Sequence, residues 1–272
     1  MHTYTDYSIF ISLVTYICIE RGNDMYTQQV LSSTLKSTVA HRHSSPCTSC
    51  VSRSLCLHDH FDLDGLDFLT GQYTNKIKIK AGDPIFRNGD SIDSLYTVRI
   101  GFIKIEYCLP NGHHQVNHFA TNGDLIGTDG IANGKHKLDA TALTDGELCS
   151  LKFTRIQSLM RESTHIQKAI DCAMSRELNN THDHLYSLGS HNVEQKLAFF
   201  LLHLHNKLGA LHANLNSIRL PMSRDDLKSY LGVTTESLSR AFTSLENKHY
   251  FQVRNKIIND IDFKGLAELV DK

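Results

Sequence analysis

Cys47, Cys50 and Cys56 stand as C-x2-C-x5-C in Cys47-Thr-Ser-Cys50-Val-Ser-Arg-Ser-Leu-Cys56, and Cys149 follows far downstream. Three thiols so spaced can converge as thiolates on one soft metal centre and leave room for a fourth ligand from elsewhere. The same spacing suits a zinc knot or a pair of reactive thiols, because a cysteine pattern alone does not choose among these chemistries. The chain holds seven cysteines, an odd number, and shows no secretory signal, so a reducing cytosol is expected.

A second group of chemical side chains lies near the other end. Glu236, Ser239 and Arg240 fall at i, i+3 and i+4 and would share one exposed helix face. Arg240 could donate two hydrogen bonds to a guanine, and Glu236 could accept from a cytosine amino group, each such pair contributing roughly 1–3 kcal/mol of discrimination. An ordinary surface ion pair between Glu236 and Arg240 is the plainer alternative.

The elements that must position these residues differ along the chain. Ser32–Ser54 is rich in Ser, Thr and His and reads as an arm that needs a ligand to become ordered. Phe61–Leu69 repeats apolar positions at helical spacing, so a short helix is expected there. From Asn75 to Phe153 the pattern alternates, as in Lys76–Lys80, Leu95–Ile100 and Phe102–Tyr107, with Gly-Asp and Asn-Gly turns between. That is the signature of an antiparallel sandwich or barrel, with Cys149 on one of its late strands. Thr154 to about Leu188 then reads as one long helix. Its stripe of Ile166, Ile170, Met174, Leu178, Thr181 and Leu185 is suited to pairing with a second copy. Val193–Leu208 reads as a further helix.

Ser223–Arg240 has helix–turn–helix logic. Ser223 can cap the first helix with Asp226 three residues on, and Gly232 supplies the backbone freedom of the turn. Thr234 or Thr235 can cap the second helix, whose buried stripe is Leu238, Phe242 and Leu245. Tyr250–Ile258 alternates like a small hairpin wing, leaving Arg254 and Lys256 free to meet phosphates.

Composition limits the alternatives. The chain has 272 residues, 40% of them hydrophobic and 21% charged, with a net charge of −1. No overall charge favours nucleic acid or membrane, so any DNA-binding surface must be a local patch. The 17 histidines are scattered and read mostly as solvated residues. Ile9–Ile19 is apolar but shorter than the about 20 residues that span a bilayer, and translation is expected to begin at Met25. No general base, nucleophile or phosphate loop stands out, so the reading is of a non-enzyme.

The order of cysteine arm, Gly-rich β-roll, long helix and Glu-x-x-Ser-Arg helix–turn–helix resembles the CRP/FNR superfamily of transcription regulators. It is most similar to the branch that binds an oxygen-labile [4Fe–4S] cluster. The resemblance runs from about Met25 to the C-terminus. It implies an α+β fold: an N-terminal extension and cluster-binding arm (1–60), a cupin-like antiparallel β-roll sensor domain (61–160), a dimerisation helix (161–190) and a winged helix–turn–helix (191–272). It implies Cys47, Cys50, Cys56 and Cys149 as cluster ligands, Leu55 as a shield, and Cys18, Cys108 and Cys172 as ordinary small apolar residues. Glu236, Ser239 and Arg240, with Thr234, Arg254 and Lys256, become the DNA contacts, and Ser239 implies a TTGAT-type inverted repeat read by a homodimer. RNA polymerase is an implied partner.

Relatives that bind cyclic AMP carry an Arg-Ser pair after the phosphate-cradling loop. Gly134-Lys135-His136-Lys137-Leu138-Asp139 has none, so no cyclic nucleotide is expected. Two positions depart from the family pattern. Thr181 and His182 stand where an acidic residue commonly opposes pairing, which implies stronger apo-dimerisation. His113 stands where the hairpin tip is commonly acidic, which leaves the balance of activation and repression open. The same thiolates could alternatively hold zinc or [2Fe–2S] in a constitutive regulator, and a thiol-disulfide enzyme using Cys47 and Cys50 lacks its usual strand–CxxC–helix setting.

Overall fold

Alternation of apolar and polar residues produces eight short strands between Thr74 and Lys152, and these close into a roll of two four-stranded sheets. In a computed structural model the chain is described at Cys50, Cys56 and residues 74–109, 112–209 and 217–272. Cys47, Leu55, the expected helix Phe61–Leu69, most of the arm and the Met25 start lie outside the described residues.

One sheet runs β1 (Thr74–Ile79), β8 (Gly146–Lys152), β3 (Ser94–Ile100), β6 (Leu125–Ile126), and the other β2 (Pro84–Phe86), β7 (Asp139–Ala142), β4 (Ile103–Cys108), β5 (His114–Ala120). Successive side chains of a strand point to opposite faces, so β3, β6 and β8 of the first sheet each serve two cores. Val98 and Leu148 point into the roll, where they pack with Ile103, Ile105 and Ala140. Leu95 and Leu151 point outward and join a separate apolar cluster with Leu125.

Helices cover that outer face. The single long helix expected from the sequence is two: α1 (Phe153–Glu162) and α2 (Thr164–Ser190). Ser163 is extended (φ −140°, ψ 117°) and its N–H donates to the Leu159 carbonyl. Serine forgives a helix boundary, and the break lets Ile156 and Leu159 of α1 and Ile166, Ala169, Ile170 and Ala173 of α2 bury in one cluster. The apolar stripe of α2 therefore divides. Ile166 and Ile170, expected to face a second copy, are buried in their own chain, whereas Met174, Leu178 and Leu185 are exposed.

After His191 and Asn192 the C-terminal module begins with α3 (Val193–Gly209), followed by β9 (Ser217–Arg219), α4 (Arg224–Leu231), α5 (Thr235–Asn247), the hairpin β10 (Gln252–Arg254) and β11 (Ile257–Asn259), and α6 (Phe263–Val270). Its core gathers Leu197, Leu201, Leu227, Leu238, Leu245 and Ile258. Neither β9, which pairs with β11, nor α6 was marked by periodicity. Among the described residues, no helix is long and apolar enough to cross a membrane.

Candidate metal centre and nucleic-acid interface

Cys149 sits opposite Thr97 of β3 and Lys76 of β1, on the outward face with Leu95 and Leu151. That is the side on which Cys56 is buried, inside the apolar cluster shared with α1 and α2. Cys50 is half-buried nearby and hydrogen-bonds the Arg99 guanidinium, which also meets Glu147 with Nη1 2.9 Å from Oε1. Burial pushes the Cys149 thiol up to about 11; Cys56 and Cys50 add to the rise and Arg99 opposes it. Cys149 thus feels the charge of two other expected ligands beside this sheet face.

None of the three is joined in a disulfide, and among the described residues no three His, Cys, Asp or Glu side chains are drawn close enough to hold a metal ion. The chemistry of the set nonetheless fits a soft metal: the thiols lie beside one sheet face, Cys56 sits in an apolar cluster, and the Arg99 guanidinium is at hand to offset thiolate charge. A thiol held near 11 is protonated at neutral pH, the less nucleophilic form. A bound metal would ionise it outright.

At the other end the local reading from sequence holds closely. Ser223 Oγ accepts from the Asp226 N–H at 3.0 Å while Asp226 Oδ2 accepts from the Ser223 N–H at 3.0 Å, a complete capping box. Gly232 closes α4 in the left-handed region (φ 62°), where a side chain would be strained. Thr234 caps α5 by accepting from the Ser237 N–H. Leu238, Ala241, Phe242 and Leu245 turn inward, which leaves Glu236, Ser239 and Arg240 exposed on the opposite face. Ser239 and Arg240 border a shallow groove with Thr243, Ser244, Asn247 and Lys248.

Arg240 pairs with Glu236 one turn back. Both side chains are more than two-thirds exposed, and such pairs contribute about 0–1 kcal/mol, so the pair holds the guanidinium only weakly. Asn255 and Lys256 both adopt positive φ (49° and 64°), the geometry that closes a tight two-residue hairpin. The wing so formed holds Arg254 and Lys256 in solvent.

Residues 76–163 match the cyclic nucleotide-binding domain family and residues 195–269 the Crp-like helix-turn-helix domain family. The chain is 31% identical over 223 residues to the "Anaerobic regulatory protein" of Pasteurella multocida, covering 82% of each. The chain belongs to the CRP/FNR family of transcription regulators. It is also 30% identical over 223 residues to the "Fumarate and nitrate reduction regulatory protein" of Escherichia coli, covering 82% of this chain and 89% of the relative. FixK2 from Bradyrhizobium japonicum shares the fold, with a TM-score of 0.66 and 23% identity over 72% of this chain and 96% of its own. Membership of this CRP/FNR family makes the molecule a DNA-binding regulator.

Three features of the site carried no sequence signal. Asp129, in a short 3-10 turn (Thr128–Gly130), accepts from the Lys137 and Leu138 N–H groups at 2.7 and 3.1 Å and lies 3.0 Å from His136 Nδ1. Thr128 beside it donates to Glu177 of α2 at 2.8 Å. His136 is buried and stacks on Phe86, while burial lowers His184 to about 4 and His203 to about 3. These three histidines are exceptions to the expectation of mostly solvated ones. Each owes its setting to partners distant in sequence.

Proposed function

We propose that this CRP/FNR protein is an oxygen-responsive regulator whose Cys47, Cys50, Cys56 and Cys149 hold a [4Fe–4S] cluster, and that it reads a TTGAT-type inverted repeat as a homodimer in the cytoplasm. The observation that carries the reading is the burial of Cys56 in the same apolar cluster as Ile166, Ala169, Ile170 and Ala173 of α2. When bound, the cluster supplies an oxygen-labile tie between the arm and β8, with Leu55 as its shield. The remaining steps belong to the chain itself. With Cys56 seated, the first turns of α2 are covered, and the helix presents Met174, Leu178 and Leu185 to a second copy. Withdrawal of Cys56 uncovers Ile166 and Ile170, weakens the presentation of that stripe and separates the two reading helices.

Asp129 supports a roll that takes no cyclic nucleotide. The backbone N–H groups of Lys137 and Leu138, donors that an incoming phosphate would need, are already taken by its carboxylate. RNA polymerase is assigned to the tip of the β4–β5 hairpin, where His113 is exposed. The zinc alternative shares the soft donor set. Iron and sulfide analysis of anaerobically purified protein, with a gel shift on the inverted repeat before and after air, decides between them. Bound iron and sulfide with air-sensitive DNA binding is expected; zinc with air-insensitive binding overturns the oxygen reading. Cys56→Ala and Cys149→Ala should each lose the iron.

A further inference from the structure

The DNA-reading module is joined to α2 through His191 and Asn192, which belong to no helix. His191 is extended (φ −95°, ψ 145°). Each residue of such a joint has two soft dihedrals, so covalent connection alone does not fix the direction of α5. Packing holds the module against the roll: Phe119 of β5 lies with ring centroids 6.0 Å from Phe200 of α3 and 5.2 Å from Tyr230 of α4. Apolar burial is non-directional and tolerates rotation of one surface over the other.

Direction comes from polar contacts around this apolar patch. Lys104 Nζ of β4 lies 2.9 Å from Asp226 Oδ1 and 2.8 Å from Glu106 Oε1. Lys207 Nζ of α3 lies 2.8 Å from Asp124 Oδ2, with His118 Nε2 3.6 Å from the same oxygen. Between them Ser229 of α4 grips the β5 edge: its Oγ accepts from the Val116 N–H at 2.9 Å and donates to the His114 carbonyl. The two ion pairs run with opposite polarity, since the roll offers a cation to one and an anion to the other. Burial opposes ionisation of Asp124, yet Lys207 and His118 hold its carboxyl far below the usual range. A slide of a few ångströms would part both pairs and leave charges stranded in a half-buried interface, which is costly.

We propose that Lys104–Asp226 and Lys207–Asp124 are positioning pairs that fix α5 relative to α2, and so set the half-site spacing that the dimer accepts. The proposal rests on the reading of the chain as a dimeric DNA-binding regulator. One added base pair moves the second half-site by about 3.4 Å along and roughly 35° around the duplex. A module locked at two points of opposite charge cannot follow that displacement, whereas one held only by apolar contact and a two-residue joint can.

The test is the Lys104→Met/Lys207→Met double variant, carried beside each single variant and a Lys104→Arg/Lys207→Arg pair. These changes remove the cations but spare Asp226, which caps α4, and Asp124, which accepts from the Thr121 N–H. Binding is measured on inverted repeats whose spacer is lengthened or shortened by one base pair. The wild type is expected to prefer one spacer by about tenfold or more. In the double Met variant that preference should fall to about twofold with dimerisation and iron content intact, and the Arg pair should restore it. Unchanged spacer preference, or an equal loss at every spacer, overturns the proposal. Residual dipolar couplings of DNA-free protein read the same clasp whatever sequence is recognised. The roll and module should align as one body in the wild type and as two in the Met variant; one body in the variant also overturns it.

Discussion

The two halves of α2 share one helix and one apolar periodicity but meet different fates. Ile166, Ala169, Ile170 and Ala173 are buried against α1 and the outer sheet face, whereas Met174, Leu178 and Leu185 stand 40%, 55% and 58% exposed. At 3.6 residues per turn the second stripe lies roughly a third of a turn round from the first, so it continues along the helix on an adjacent face. A sequence pattern shows that a face is apolar. It does not show whether the cover comes from the same chain or from another, and only the position of the roll decides that here.

The sharpest way to break the comparison is to damage each half in turn. Ile170→Ala should cost about 2–5 kcal/mol of folding stability, measured by denaturant unfolding, because it opens a cavity beside Cys56. A loss below ~1 kcal/mol would mean that the first half is not a true core. Leu178→Asp should leave monomer stability within about 0.5 kcal/mol yet raise the dimer dissociation constant by about 30-fold, some 2 kcal/mol, in sedimentation equilibrium. An intact dimer would show that the second half meets no partner.

The smallest effect concerns the end of the exposed half, which is not wholly free. His184 stacks on Tyr230 of α4 with ring centroids 3.9 Å apart, and burial lowers its pKa to about 4, with His203 at about 3. An unfolded histidine titrates near 6.5. The folded chain therefore takes up protons later than the unfolded one, and stability that is complete above about pH 6.5 drains away as pH falls toward 4. The unfolding midpoint should drop by about 3–6 °C between pH 7 and pH 5, some 1–2 kcal/mol. In His184→Phe, which keeps an aromatic on Tyr230, the slope should shrink. A midpoint that is flat with pH would remove this anchor from the account.

What was legible in the sequence is what short-range chemistry decides. The capping box at Ser223 and Asp226, the turn at Gly232, the Thr234 cap and the strand holding Cys149 each depend on neighbours a few residues away. The break at Ser163 was not legible, because serine is tolerated on either side of a helix boundary and only packing on the sheet forces it. Nor were the contacts of Asp129, Lys104 or Lys207, whose partners are chosen by the closure of the roll and the docking of α3 and α4. Cys56 lies between these cases: its type and spacing marked it, but its burial with α2 is a tertiary fact.

The carboxylate of Asp129 has a consequence for how this roll meets the metabolite pool. A side chain tethered beside the Lys137 and Leu138 N–H groups competes at an effective concentration on the order of millimolar or above. On the proposed reading those donors stay satisfied from within the chain, and the roll then serves α2 as a fixed anvil.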